Sequence, residues 1–277
     1  MGREIKCSLT PQVTRADFLY ALDNDIKPAL GSSQDLLEAF LTGGIIPWSP
    51  AVQEILQDGR LAVQQAVAGS SGLVSILLEG APNSGKTALA AQIAKDSGFP
   101  FIKVCSPENM IGFTESAKCA TIRKIFDDAY RSHQSCVIVD NIERLIDYGP
   151  IGPRYSNLTL QALLVLLKKM PPKGRKLLIV ATSSRKQVLD QLEMLSAFTD
   201  VLHVANLNRA EHITAVAKLS EAFSPADLAS LQSQLSTRNT NIGIKKLLGL
   251  LDMVKQTEQG ERVAKLVGKL EDEMISY

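Results

Sequence analysis

An apolar run, Leu73-Val74-Ser75-Ile76-Leu77-Leu78-Glu79, passes directly into Gly80-Ala81-Pro82-Asn83-Ser84-Gly85-Lys86-Thr87, and Ala88 to Lys95 then reads as a helix. No other stretch restricts the possible folds as far. A G-x-x-x-x-G-K-T turn needs a buried strand to deliver it and a helix N-terminus to complete it. The glycines let the backbone curl until several N–H groups face one phosphate chain. Lys86 supplies a point charge at the β/γ end, and the Thr87 hydroxyl can ligate Mg²⁺. The helix N-terminus adds its own partial positive charge. These residues imply a nucleoside triphosphate as ligand.

The remaining pattern fits that unit. Apolar strands are expected at 73–79, 101–105, 135–140, 176–182 and 200–204, with helical periodicity between them at Leu89 and Ile93, Ile122 to Ala129, Leu160 to Leu167, and Val188 to Leu195. Short apolar strands alternating with helices predict a five-stranded parallel sheet covered on both faces, an α/β fold. After about residue 206 the strands stop, and 208–221, 225–236, 241–255 and 260–273 all read as helices of a smaller all-α unit. At the other end, Thr14 to Leu22 predicts a short amphipathic helix before the breaks at Pro28 and Gly31. A second short helix is expected over Gln34 to Leu41. Ser49-Pro50 is a cap and first turn for a third, running to about Val67. The expected division is 1–30 as a tail and linker, 31–205 as the α/β nucleotide-binding part, and 206–277 as the helical part.

Composition mainly excludes. Thirty Lys and Arg against twenty-nine Asp and Glu leave a net charge of +1, so no global field draws the chain to nucleic acid or anionic lipid. The longest wholly apolar run, Ala162 to Leu167, is too short to cross a bilayer. Nothing at the N-terminus reads as a signal peptide. Cys7, Cys105, Cys119 and Cys136 lack C-x-x-C spacing and read as reduced thiols, and the scattered His133, His203 and His212 give no zinc pattern.

Fifty-four residues past Lys86, Cys136-Val137-Ile138-Val139-Asp140 is a strand ending in a carboxylate. In the Walker B arrangement such an Asp holds a Mg²⁺-bound water beside Thr87. Hydrolytic sites of this layout place a Glu next, whereas here the residue is Asn141. An amide can orient a water but cannot take its proton, and losing a general base costs about 10²- to 10⁴-fold. Glu143 is expected to point away or to cap a helix, although it could compensate. Ser184, after the strand 176–182, is the candidate that places the attacking water. Asp140, Asn141 and Ser184 are thus the candidate catalytic residues, with Thr87 and Asp140 as candidate Mg²⁺ ligands. Lys245 and Lys246 open a helix in the terminal bundle, and one of them could fold over the phosphates.

These elements in this order resemble the AAA+ ATPases. The stretches Gly44-Ile45-Ile46-Pro47-Trp48, Ser84 to Ala91, Phe99 to Lys103, Lys124 to Tyr130, Gln161 to Lys169 and Gly243 to Leu248 are similar, more narrowly, to the second ATPase domain of the N-ethylmaleimide-sensitive fusion factor family. The resemblance runs from about residue 14 to the C-terminus and implies a piece of a longer protein, with the first thirty residues ending a preceding ATPase domain. It implies an AAA+ fold with a C-terminal lid, in a two-tier homo-hexamer that works with a SNAP adaptor to take SNARE complexes apart. Such a protein is cytoplasmic and meets membranes only indirectly, through adaptor and SNAREs. Its second domain binds ATP tightly, turns it over poorly and holds the ring together. The resemblance sets Gly43, Gly44, Ile45, Ile46, Pro47 and Trp48 against the adenine. It wraps Pro82, Asn83, Ser84, Gly85, Lys86, Thr87, Ala88 and Leu89 around the phosphates, and makes Lys245 the second sensor.

Local departures agree with weak hydrolysis. Besides Asn141, no arginine lies between Arg185 and Arg209, the region that supplies an arginine finger worth about 10³ to 10⁵ in rate. Met110, in the pore-loop stretch Asn109 to Phe113, stands where gripping loops carry an aromatic. Lys168 and Lys176, near the neighbouring subunit, could contact the nucleotide as ring-closing charges. A hydrolytically competent motor using Glu143 stays open as the alternative. A GTPase or nucleic-acid remodeller is disfavoured, since no N-K-x-D run and no basic-aromatic stripe occur.

Overall fold

Each expected apolar run becomes a strand of one sheet. The computed structural model, which describes residues 13–24, 34–152 and 154–275, contains β1 (Leu73–Glu79), β2 (Phe101–Cys105), β3 (Gln134–Val139), β4 (Lys176–Ser183) and β5 (Asp200–His203). All pairings are parallel and the order is β2-β3-β4-β1-β5. Leu73 lies opposite Leu177 and Glu79 opposite Ser183, so β1 and β4 end level. The strands are apolar throughout because helices cover both faces. One face carries α2 (Gln34–Phe40), α3 (Pro50–Ala68) and α4 (Lys86–Asp96), packed around Ile55, Ile76, Leu78, Ile93 and Val180. The other carries α5 (Glu115–Ala129), α6 (Ile142–Leu145), α7 (Asn157–Lys168) and α8 (Lys186–Gln191), packed around Phe126, Val137, Leu163, Leu167 and Ile179.

Topology places the site. From β1 the chain crosses to the outer strand β2, returns through β3 and β4, and then adds β5 on the far side of β1. The loops leaving β1, β3 and β4 therefore diverge at the C-terminal edge of the sheet, where open α/β sheets bind ligands.

A separate core of Leu207, Ile213, Leu231, Leu247, Leu251 and Leu266 joins α9 (Ala210–Leu219), α10 (Pro225–Ser236), α11 (Ile244–Val254) and α12 (Arg262–Ile275). An antiparallel bridge between Leu207 and Ile242 ties the start of this bundle to the entry of α11. Ser224 and Asp227 form a capping box on α10 with Pro225 in its first turn, satisfying N–H groups that no helix bond reaches. Trp48 packs against both this bundle and the α3 face of the sheet.

The structure alters several local expectations. Helix α1 (Arg15–Asn24) forms, yet Phe18, Leu19 and Tyr20 on it are exposed. The helical run expected through Leu195 stops at Gln191; Glu193 takes a left-handed φ of 57° and a 3₁₀ turn at Leu195–Ala197 follows. Ser49 holds the cap position of α3, but its hydroxyl is buried and makes no cap bond. Met110 is buried in the core, and Ile111 (82% exposed) and Phe113 are the side chains this loop presents to solvent. A 3₁₀ turn at Pro107–Met110 precedes this, and the Met110 side chain at its end belongs to the packing. Cys105 and Cys136 are buried free thiols, and burial pushes each up to about 12, which leaves them unreactive at neutral pH. Cys7, Pro28 and Gly31 lie outside the described residues.

Phe126 is fully buried where α5 meets the sheet. Phe126→Ala is expected to lower unfolding free energy by about 3–5 kcal/mol, read from urea denaturation at unchanged m-value.

Candidate nucleotide site

The site is assembled from three strand ends. At the end of β1 the chain turns at Gly80, where a Cβ would run into the Val204 carbonyl oxygen, so only glycine lets β5 close on the loop. Asn83 (φ 65°) and Gly85 (φ 97°) take left-handed conformations, which curl the loop into α4. Lys86 is 5% exposed and donates to the Gly80 and Ala81 carbonyls at 3.0 and 2.6 Å and to the Ser84 hydroxyl at 3.3 Å. Burial lowers its pKa, while the carboxylates of Glu143, Asp140 and Glu79 act in the opposite direction. The ammonium thus already bridges loop carbonyls at the point where phosphate oxygens would compete for it.

Asp140 follows β3 as its first loop residue. Its Oδ1 accepts the Thr87 and Thr182 hydroxyls, each at 2.8 Å, and its Oδ2 accepts the Asn141 side-chain amide at 2.7 Å. Burial raises the Asp140 pKa; the Thr87 and Thr182 hydrogen bonds oppose that, and Glu108 and Glu143 reinforce it. Thr87 and Asp140 set two hard oxygen donors side by side, the donor type that Mg²⁺ takes. Among the described residues no cluster of three or more His, Cys, Asp or Glu could hold a metal. The donors therefore fit a Mg²⁺ that completes its shell with phosphate oxygens and water.

Asn141 takes φ 51°, a conformation Asn tolerates better than most residues. The turn sends α6 back across the strand ends and carries Glu143 into the site. The expectation that Glu143 points away fails for that reason. Glu143 is 8% exposed, its Oε1 accepts the Ser184 backbone N–H at 2.9 Å, and its Oε2 is buried without a hydrogen-bond partner among the described residues.

The helical bundle leans directly on the phosphate loop. A Cβ on Gly243 would stand 2.6 Å from the Asn83 carbonyl oxygen, and the Lys245 N–H donates to that oxygen at 3.0 Å. Lys245 faces the cavity, while Lys246 pairs with Glu273 on α12 at 2.8 Å. At the other end of the cavity, the Trp48 ring lies 4.9 Å from that of His212 on α9, joining the segment before α3 to the bundle. Burial, helped by Arg209, lowers the His212 pKa. One cavity of about 840 Å³ is lined by every residue expected to contact nucleotide except Pro47, and also by Asp140, Asn141, Glu143 and Ser184.

Comparison with known proteins agrees with this geometry. Residues 76–206 match the model of the ATPase family associated with various cellular activities (AAA), and residues 206–273 match the NSF AAA+ ATPase lid domain. The chain is 44% identical to the vesicle-fusing ATPase of Caenorhabditis elegans over 94% of its own length and 32% of that protein. It is 42% identical to the vesicular-fusion protein SEC18 of Saccharomyces cerevisiae over 89% of its length and 33% of that protein, and 41% identical to the vesicle-fusing ATPase of Arabidopsis thaliana over 90% and 33%. The chain belongs to the AAA+ ATPases, in the vesicle-fusing branch. It spans about a third of the length of the curated relatives it matches.

As an AAA+ module, the chain also contains site residues that motif reading missed. Thr182 anchors Asp140 from β4; a lone Thr in an apolar strand beside a Walker strand was the available signal. Arg144 on α6 and Arg185 just before α8 both line the cavity, so cationic groups of this chain reach it although no arginine follows Arg185 until Arg209. Lys168 and Lys176 do not approach it. Lys168 bonds the Ser196 hydroxyl at 3.1 Å and Lys176 bonds the Gly69 carbonyl at 2.5 Å, at the opposite edge of the sheet.

Gly243→Val drives a side chain against loop backbone that cannot yield. It is expected to weaken ATP binding at least tenfold, about 1.4 kcal/mol, by titration calorimetry, with the nucleotide-free melting temperature nearly unchanged. Asp140→Asn removes a buried carboxylate whose pKa is raised. Ionisation of such a group opposes folding at pH values above its unfolded value of about 3.9. The nucleotide-free variant is therefore expected to melt above wild type at pH 7, with the gap shrinking as pH approaches 4.

Proposed function

We propose that this chain is an ATP-retaining AAA+ module whose bound Mg-ATP holds a homo-hexameric ring together within a vesicle-fusing ATPase. In this reading residues 1–30 end a preceding ATPase domain and linker, residues 31–205 form the nucleotide-binding subdomain, and residues 206–277 form the lid. Gly43 to Trp48 hold the adenine, Pro82 to Leu89 hold the phosphates, Thr87 and Asp140 hold Mg²⁺, and Lys245 reads the γ-phosphate from the lid. Ser184 helps place water. The names of the relatives support a place in vesicle-mediated transport. By chemistry of that class, the full-length protein works on SNARE complexes through a SNAP adaptor, in the cytoplasm and at membranes only through those partners. Among the described residues no helix is long and apolar enough to cross a membrane.

The observation that carries the reading is what Asn141 does. Its amide is committed to Asp140 and its backbone to a left-handed turn, so the position that carries the usual base is structural here. Turnover is correspondingly slow. Meanwhile the Lys245 N–H and the close approach at Gly243 seat the lid on the loop that cradles the phosphates. Nucleotide bound across both parts at about 100 times its dissociation constant adds roughly 2.7 kcal/mol to the state that binds it. That is enough to decide between ring and monomer.

Sedimentation velocity tests it. The purified chain is expected to run as a hexamer in Mg-ATP and to fall to monomer when nucleotide is stripped, and Lys86→Ala to stay monomeric in both. A wild-type monomer in saturating Mg-ATP would refute the reading.

A further inference from the structure

We propose that Glu143 is the carboxylate that holds and deprotonates the attacking water in this site, in place of the residue directly after Asp140. The inference rests on the nucleotide-binding reading above but not on the ring.

The other acidic groups near the phosphate loop are already committed or exposed. Asp140 accepts three side-chain hydrogen bonds. Glu79 is engaged by His203 at 2.9 Å and Lys186 at 3.2 Å. Glu108 is exposed. Among the described residues, Glu143 Oε2 is the one buried carboxylate oxygen without a hydrogen-bond partner. A buried acceptor left unpaired costs about 1–3 kcal/mol, so its neighbourhood is set up for a donor that the protein does not itself provide. A water in the cavity is such a donor. The residue lines that cavity together with Lys86, Thr87 and Ser184. Its charge also acts on the Lys86 ammonium, so the two groups face each other across that cavity.

The position is built, not incidental. The Ser184 N–H fixes Oε1 from the end of β4. Below, Lys118 on α5, itself 7% exposed, donates to the Leu145 carbonyl at 3.3 Å and pairs with Asp147 at 2.7 Å, pinning the end of the four-residue helix that carries Glu143. In the step proposed, Oε2 accepts one proton of the water as the water oxygen bonds the terminal phosphorus. The bond from that phosphorus to the bridging oxygen breaks, its electron pair leaving with the diphosphate, and Glu143 returns its proton to solvent.

The test is single-turnover conversion of bound ATP to ADP, followed for hours by quenching and chromatography, beside ATP affinity by calorimetry and the nucleotide-free melting temperature. Glu143→Gln keeps an acceptor for the Ser184 N–H and removes the base. It is expected to bind Mg-ATP within about twofold of wild type, to melt no lower, and to convert ATP about 10²-fold or more slowly. Glu143→Asp, shorter by one methylene, is expected to fall between. Conversion by Glu143→Gln at the wild-type rate overturns the proposal, as does a wild type that leaves its ATP intact throughout. Loss of ATP binding or folding in both variants would make the residue structural and overturns it too. Wild type that fails to bind ATP refutes instead the reading on which the proposal rests.

Discussion

Asp140 is the joint of this structure. Its Oδ1 receives one hydroxyl from the phosphate loop and another from β4, and it does so at the end of β3, so three chain segments meet on one oxygen. That convergence needs β3, β4 and β1 to end level, which the register of Leu73 with Leu177 and of Gln134 with Lys176 provides. A slip of one residue would turn Thr182 to the other face of the sheet and remove the hydroxyl. The long apolar strands are therefore more than core. They fix the height at which the polar ends present themselves.

The same edge explains why the bundle behaves as a lid and not as a tethered neighbour. Gly243 permits backbone to approach backbone at Asn83, and the Lys245 N–H closes the contact. A residue with a side chain at 243 would hold α11 off the loop by the width of a methyl group. On the other side of the cavity, Trp48 sits between two hydrophobic cores and against His212. In the proposed reading, a nucleotide filling the space between these two contacts would touch both parts at once, and its binding energy would become energy of closure.

The strands, the phosphate loop and Asp140 were legible because each is a local pattern: apolar runs of strand length, a glycine-lysine spacing, a carboxylate after a buried strand. Thr182 and Gly243 were not, since their roles depend on partners 42 and 160 residues away that no spacing announces. Glu143 was misread for a subtler reason. A Glu in the first turn of a helix is ordinarily a solvated cap, and only the left-handed turn at Asn141 directs it inward. The substitution that seemed to delete chemistry at one position is also the backbone feature that delivers a carboxylate from another. Lys168 and Lys176 lie away from this chain's own cavity, on the Ser196 hydroxyl and the Gly69 carbonyl, so any part they take at a nucleotide is toward a neighbouring subunit.

The proposed retention of nucleotide would follow from how these parts are balanced. Lys86 is buried among loop carbonyls; burial lowers its pKa and the surrounding carboxylates oppose that, so the loop is preorganised and phosphate oxygens would replace bonds it already makes. Preorganisation of this kind favours binding, because little ordering is left to do when the ligand arrives. Hydrolysis needs more: a donor-accepting oxygen beside the water and a cation that strengthens its hold as charge moves. Here the adjacent position is an amide engaged with Asp140, and among the described residues the one buried carboxylate oxygen without a partner is Glu143 Oε2, whose companion Oε1 is held by the Ser184 N–H. In the reading proposed above, a site with Glu143 as its single available base holds its ligand longer than it consumes it, which is the condition for a ligand that serves as structure.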